Sequence, residues 1–472
     1  MTAAAIDAKT LLSTLPKEWP EELLTGIQRE VTQAGSTIVI LDDDPTGTQT
    51  ITDLPVLTHW SVAALEEELN RQYPAFFILT NSRSMPENEA CALAQEIGEN
   101  LYLAAKRTKN RVIPVSRSDS TLRGHFPAEV DAMAAAMKTS ALPYLVVPFF
   151  LEGGRYTIND IHYVQEGSRF IPAAHTAFAN DAAFGFCQSD LKLWIEEKTG
   201  GRIPADQVNS ISIDDIRLSG PKKVTALLEK IPAGAACIVN LASYGDMEVF
   251  VAGLLEAEKS GKEFLFRTAA SFVRTRTGQH HKIRLLSRHQ LLTDSHYGGL
   301  FIIGSYIEKT GRQVKALLEQ TDIQGVEIDV GALLSPSSRP REISRVISVA
   351  TAYLKQGEDV AMYTSRKLIT GGDAVSSLNI GQTVSDSIIE MVKAIEIQPR
   401  YLVAKGGITS SDVATEGLGV KRAMVLGQPL PGVPAWKLGP ESKYPGMSYV
   451  VFPGNVGEDD ALVQLKNKLC KQ

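Results

Sequence analysis

Three consecutive aspartates, Asp42, Asp43 and Asp44, follow the apolar run TIVIL and precede Pro45, Thr46 and Gly47. Adjacent carboxylates repel one another, and a cation or a substrate hydroxyl group is the usual reason to keep them together. Spaced as D-x-D-x-T, the same residues fit the nucleophile loop of haloacid-dehalogenase-like phosphatases, with Asp42 as nucleophile and Asp44 as acid/base. A helix N-cap carrying negative charge near the helix dipole is the purely structural alternative. A second dense set is SRSDSTLRGH, Ser116–His125, which gathers Arg117, Asp119, Ser120, Thr121 and Arg123 after another apolar run. Arginine forks suit a carboxylate, and an aspartate accepts from two hydroxyls, so the set suits a polyhydroxylated anion. Arg83 in TNSRSM adds a further cation, with a surface ion pair as its plain alternative. His125, beside a glycine, reads as a packing or capping residue.

The second half of the chain carries different chemistry. GLFIIGSYIEKTGRQVKALL, YLVAKGGITSSDVA and YVVFPGNVG end strand-like runs in glycine paired with Ser, Gly or Asn, and VAMYTSR is a fourth such run. Loops of this kind expose backbone N–H groups, which suit phosphates. No G-x-x-x-x-G-K-[ST] occurs, because Gly261-Lys262 is followed by Glu263, so a P-loop is excluded.

The elements that position these residues repeat one theme. TIVIL, AFFIL (75–79), RVIPV (111–115) and YLVV (144–147) are each of strand length and each runs into a polar cluster. The stretch after Pro86 places Leu93, Ile97 and Leu101 at helical spacing. Strands alternating with helices predict an α/β fold: two α/β domains with mostly parallel sheets and an interdomain active-site cleft. Ligands of such sheets bind outside the carboxyl ends of the strands, where every quoted cluster falls. The expected organisation is an N-terminal helical extension over 1–35, a sugar-acid-binding domain over 36–275, an interdomain crossing over 276–298 and a nucleotide-binding domain over 299–472. His280 and His281 fall in the crossing and read as solvated linker residues, since no carboxylate or cysteine sits at metal-ligand spacing.

A chain of 472 residues suits two or three domains, and 44% hydrophobic with 22% charged residues is ordinary globular composition. A formal net charge of -6 leaves no basic surplus for nucleic acid. Four scattered cysteines indicate neither a disulfide framework nor a zinc site and fit a reducing cytoplasm. No apolar run is long enough to span a membrane, and the first residues lack a secretion signal. The expected partners are therefore small molecules, with a homodimer left open.

LDDDPTG, RSDSTLRG, GSYIEKTGRQ, AKGGITSSDVA, LGQPLPGVPAW and FPGNVG, in this order, resemble the four-carbon acid sugar kinases, a family that includes threonate, erythronate and 3-oxo-tetronate kinases. The resemblance implies an N-terminal domain that binds the sugar acid, a C-terminal domain that binds ATP with Mg2+, and phosphorylation of the terminal hydroxyl. It implies sugar-acid contacts at Asp43 or Asp44, Arg83, Arg117, Asp119, Ser120 and Thr121, and ATP contacts at Ser305, Gly406, Gly407, Ile408, Thr409 and Gly454. Asp44, or failing that Asp43, would be the base. The family's first motif has two aspartates where this chain has three and Pro45, which leaves the choice open, and no metal ligands are assigned. Two rivals stay beside this reading: the phosphatase using Asp42 and Asp44, and a non-catalytic sugar-acid-binding protein.

Overall fold

Apolar runs that must be covered on both faces become parallel strands, and the first unit of the protein is built on seven of them. The computed structural model describes residues 5–281, 285–305, 307–366, 374–454 and 456–470, with the backbone alone for 374–379. Tyr306 and Asn455, within two of the glycine motifs, lie outside the described residues, as does part of the crossing. The chain divides into two compact units. The first runs to Leu54 and from His59 to the 282/283 junction, and the second takes Pro55–Thr58 and the remainder.

In the first unit the strands lie in the order Asn209–Ile211, Ala236–Val239, Tyr144–Val147, Leu265–Thr268, Arg111–Arg117, Ser36–Asp42 and Ala75–Leu79, all parallel. Val39, Ile40, Phe76 and Ile78 are fully buried, each contributing about 1.5–3 kcal/mol of hydrophobic stabilisation. The helix Glu87–Thr108 starts just after Pro86 and buries Ala90, Ala94, Ile97, Leu101 and Ala104, the three-and-four spacing of a helix with one covered face. Leu93 is only partly covered. Ser36–Asp42 sits between Ala75–Leu79 and Arg111–Arg117, so the chain leaves it to one side and returns on the other. A crevice opens outside the strand ends at such a reversal. Register places Leu79, Asp42, Arg117, Thr268 and Val147 on one edge.

A four-stranded antiparallel sheet completes this unit, in the order Ile6–Asp7, Arg169–Pro172, Ile161–Glu166, Arg155–Ile158. Helices Ala8–Ser13 and Leu24–Gln33 follow its first strand. His280 is exposed. His281, expected in solvent, instead meets Glu248 at 2.6 Å and stacks on Tyr244 at 4.0 Å between ring centroids.

The second unit carries a mixed sheet in the order Pro55–Leu57, Arg422–Leu430, Val433–Leu438, Ser448–Phe452, Leu402–Lys405, Leu300–Ile303, Val360–Thr364 and Gln324–Ile328. The first three pairings are antiparallel and the rest parallel. Register aligns Ile303, Lys405, Phe452 and Tyr363 at one edge, so the glycine loops that follow the first three emerge side by side. No helix among the described residues is long and apolar enough to cross a membrane.

Candidate functional site

Asp42 ends its strand with its side chain fully buried, accepting from Arg117 Nη1 at 3.3 Å. Burial pushes its carboxyl up to about 7, against the pull of Arg117. A Cβ at position 47 would overlap this carboxylate, so only glycine lets the 3₁₀ turn Pro45–Thr50 close over it. Asp44 caps that turn: its Oδ1 accepts from Thr46 N at 2.8 Å and Thr46 Oγ1 at 2.5 Å, and its Oδ2 accepts from Arg83. Burial alone would raise Asp44, but Arg83 and Thr46 outweigh it and hold the carboxyl below its ordinary value. Asp43 accepts from Ser118 Oγ at 2.8 Å, while its buried Oδ1 has no hydrogen-bond donor and lies 3.9 Å from Arg83 Nη1.

Arg83 is the hub of this cluster. It reaches Asp44, Asp43 and, at 3.3 Å, Asp119 Oδ1. Asp119 also accepts from Arg123 Nε at 2.9 Å and from Thr121. Despite burial, these donors hold the Asp119 carboxyl well below the carboxylate range. Ser120 joins the loop through its carbonyl, which accepts from His162 Nε2 at 2.8 Å. Thus Asp43, Asp44, Arg83, Arg117, Asp119 and Thr121 meet in one cluster, with Ser120 on its supporting side.

Several further residues, some within Ser116–His125 and some far from it in sequence, build the cluster. Ser118 fixes Asp43, and Gly124, at φ +114°, leaves no room for a Cβ, which would lie 2.6 Å from Ser118 Oγ. Arg267, fully buried, donates to the carbonyls of Asp119 at 2.8 Å and Arg123 at 3.2 Å. Burial lowers its guanidinium to about 10. His162, driven down to about 3 by burial, stays neutral to support Ser120. His125 bridges the carbonyls of Ser82 and Met85, 3.2 and 3.1 Å away, so its role is structural. Arg155 and Arg123 stack on Phe178, at 5.6 and 5.1 Å. Asp43, Ser82 and Glu129 line one end of a pocket whose walls include Ile113, Met133 and Phe266. Burial raises Glu129 to about 7, with Ser82 opposing.

In the second unit, Ser305, Gly406, Thr409 and Gly454 gather at the strand ends. A Cβ at Gly406, whose φ is +117°, would lie 3.2 Å from Thr409 Oγ1 and 3.3 Å from Ser305 Cβ. Thr310 Oγ1 donates to the carbonyl of Gly454 at 3.3 Å and lies within hydrogen-bond distance, 3.2 Å, of Ser305 Oγ. Gly407 opens the short helix Gly407–Asp412, and Ile408 is 58% exposed beside it. Arg366 donates to the Ser305 carbonyl at 2.8 Å. Lys405, unmarked in the sequence because it reads as the end of an apolar strand, lies fully buried next to Gly406.

A family model for a sugar-binding N-terminal domain matches residues 38–276, and one for a nucleotide-binding C-terminal domain matches 300–462. Among solved structures, a Salmonella typhimurium LT2 protein carrying the provisional name of a tRNA synthase aligns with TM-score 0.66 at 16% identity, covering 92% of this chain and 100% of its own. Haemophilus influenzae protein HI1011, of the DUF1537 family, aligns with TM-score 0.62 at 17% identity over the same shares. No curated protein matches the chain. At these identities the structures share the fold, whereas the first family model alone spans more than half of the 472 residues. The protein therefore belongs to the family that joins a sugar-binding N-terminal domain to a nucleotide-binding C-terminal domain.

Proposed function

We propose that the protein is an ATP-dependent kinase that phosphorylates the terminal hydroxyl of a four-carbon sugar acid. The observation that carries this reading is the state of Asp43: one carboxylate oxygen fixed by Ser118 and the other buried without a donor. A substrate hydroxyl would supply that missing donor. Phosphoryl transfer needs a carboxylate that orients such a hydroxyl and accepts its proton late. Of the two candidates, Asp44 is occupied by Arg83 and Thr46, so Asp43 is the better base. Asp119, Ser120 and Thr121 would hold the remaining hydroxyls.

Arg83 and Arg117 already face aspartates, so the substrate carboxylate would share Arg83 or use Arg155. Among the described residues no carboxylate lies within ion-pair distance of Arg155, which donates to the Gly153 carbonyl. The nucleotide would lie on the loops of Ser305, Gly406–Thr409 and Gly454, and transfer requires its γ-phosphate to reach the hydroxyl held by Asp43. The three aspartates turn toward Arg117, Ser118 and Arg83, and no group of three or more metal-ligating side chains exists among the described residues. They do not fit a protein-built metal cage. Mg2+ enters this reading only as the companion of the triphosphate, its common mode of binding.

The phosphatase alternative requires Asp42 as the nucleophile, and Asp42, unlike Asp43, does not line the pocket described above and lies closed beneath Gly47 with Arg117 against it. A binding protein without catalysis would leave the nucleotide domain without a task. The deciding measurement is ADP release with threonate, erythronate and 3-oxo-tetronate in the presence of Mg-ATP. Binding of an acid without any turnover would favour the non-catalytic reading.

A further inference from the structure

Among the described residues Lys405 is the one fully buried lysine at the glycine-loop edge, and no anionic side chain pairs with it. Nζ donates to the carbonyls of Pro453 at 2.9 Å and Gly454 at 3.1 Å, and lies 4.3 Å from the centroid of Phe452. No carboxylate lies within ion-pair distance among the described residues. The charged group that does act on it is Lys309, on the helix Glu308–Gln320, which repels it. The contrast within the same unit is sharp. Lys466, also buried, meets Asp322 at 2.8 Å and Asp359 at 2.9 Å, and buried Arg400 meets Asp359 at 2.7 Å. Buried cations are normally paired, because removing an ion from water costs several kcal/mol that only a partner offsets. Lys405 has two neutral acceptors, a ring face and a like charge.

Other side chains also hold the described residues of the loop it grips. Besides Lys405, Thr310 Oγ1 donates to the Gly454 carbonyl, and Gln313 Nε2 donates to those of Val456 at 3.1 Å and Glu458 at 2.9 Å. In a trans peptide the N–H points opposite to the carbonyl before it. Tying the Pro453 carbonyl to Lys405 therefore turns the Gly454 N–H away from the interior, toward the side where a ligand would lie.

We propose that Lys405 is a phosphate-binding residue: its ammonium is the counter-charge for the phosphate chain of the bound nucleotide, left uncompensated until the ligand arrives. The inference rests on the nucleotide site of the proposed function and adds its charge partner. Burial, reinforced by Lys309, lowers the free lysine to about 7. An arriving polyphosphate would raise it again, so binding above neutral pH takes up a proton.

The test uses the whole protein and Lys405→Met, with ATP, adenosine and inorganic tripolyphosphate as probes. Expected for the variant is an unliganded melting temperature equal to or above wild type, because the uncompensated cation is gone. ATP and tripolyphosphate affinity should fall at least about thirtyfold, the lower range for losing one member of a buried charge pair. Adenosine affinity should be unchanged. Unaltered ATP affinity in a folded variant overturns the inference while leaving the nucleotide reading intact. Absence of nucleotide binding by the wild type removes the reading itself. Should the variant not fold, calorimetry of ATP binding to wild type at pH 8 in two buffers of different ionisation heat decides: proton uptake supports the assignment, and none refutes it.

Discussion

Replacing Arg83 by methionine removes the cation that three carboxylates share while keeping much of the side-chain volume. Asp44 touches the guanidinium, Asp119 lies at 3.3 Å and Asp43 at 3.9 Å, and none of the four side chains is more than 22% exposed. At an effective dielectric constant of about 20, one pair at these distances is worth about 4–5 kcal/mol before desolvation is subtracted. Removing one member of a buried pair leaves a net loss of about 3–5 kcal/mol. For a domain of this size that corresponds to a melting temperature lower by about 6–20 °C.

The dependence on pH distinguishes this electrostatic loss from simple mispacking. In wild type, Asp44 and Asp119 are held below their unfolded values, so their contribution is present above about pH 3.9 and is lost as pH falls through the folded values. Without Arg83 the crowded carboxylates rise above their unfolded values, which costs stability as pH climbs from about 4 through the raised values. Both effects enlarge the deficit with pH, so it should be greatest above about pH 6 and shrink toward pH 4. Tryptophan fluorescence during denaturation reports on the right unit, because Trp19, Trp60 and Trp194 lie there and only Trp436 lies in the other. A deficit below about 1 kcal/mol, or one that does not change between pH 4.5 and 8, would refute the reasoning.

Three further outcomes are expected. Asp43→Asn should cut turnover at least about a hundredfold, the lower end for a lost general base, with ATP affinity unchanged in equilibrium binding; turnover within threefold of wild type would exclude Asp43 as the base. Gly406→Ala forces a Cβ into φ +117°, a strain of order 1–3 kcal/mol, so ATP binding should weaken about tenfold while sugar-acid thermal shifts persist; loss of both shifts would contradict separate sites. Asp42→Asn should stabilise the protein at pH 8 and not near pH 4. The folded carboxyl sits at about 7, so its contribution is present below the unfolded value and is lost as pH rises through about 7, by up to about 4 kcal/mol; a gain independent of pH would show that Asp42 is not protonated in the fold.

The parallel strands were legible because burial on both faces leaves an unbroken apolar run, as in TIVIL and AFFIL. Other features had no local signal. Ile6–Asp7 is a two-residue strand specified only by its partner Arg169–Pro172. Pro55–Leu57 follows the aspartate loop in sequence, yet pairs with Arg422–Leu430. Arg267 looks like part of the polar end of LFRT, and its role as the floor of the Asp119 loop depends on a residue 148 positions earlier in the chain.

The same limit explains why the charges in the two units read so differently. Three adjacent aspartates announce themselves in any sequence, but the fold gives each a separate answer: Arg117 for Asp42, Ser118 for Asp43 and Arg83 for Asp44. The cluster is largely compensated before a ligand binds, so a sugar acid of the proposed kind would share Arg83 or turn to Arg155, and its hydroxyls would meet oxygens already oriented. Lys405 is the reverse case, silent in sequence and uncompensated in the fold. A compensated cluster favours orientation and discrimination among polyols, because little charge is left to neutralise. An uncompensated buried cation favours affinity for phosphate, because the ligand removes a penalty already present in the free protein. Nucleotide binding should therefore be the more strongly coupled to pH of the two, and comparing both ligands by calorimetry between pH 6.5 and 8.5 would expose the difference; equal coupling would mean that the charge of Lys405 is balanced by the protein itself.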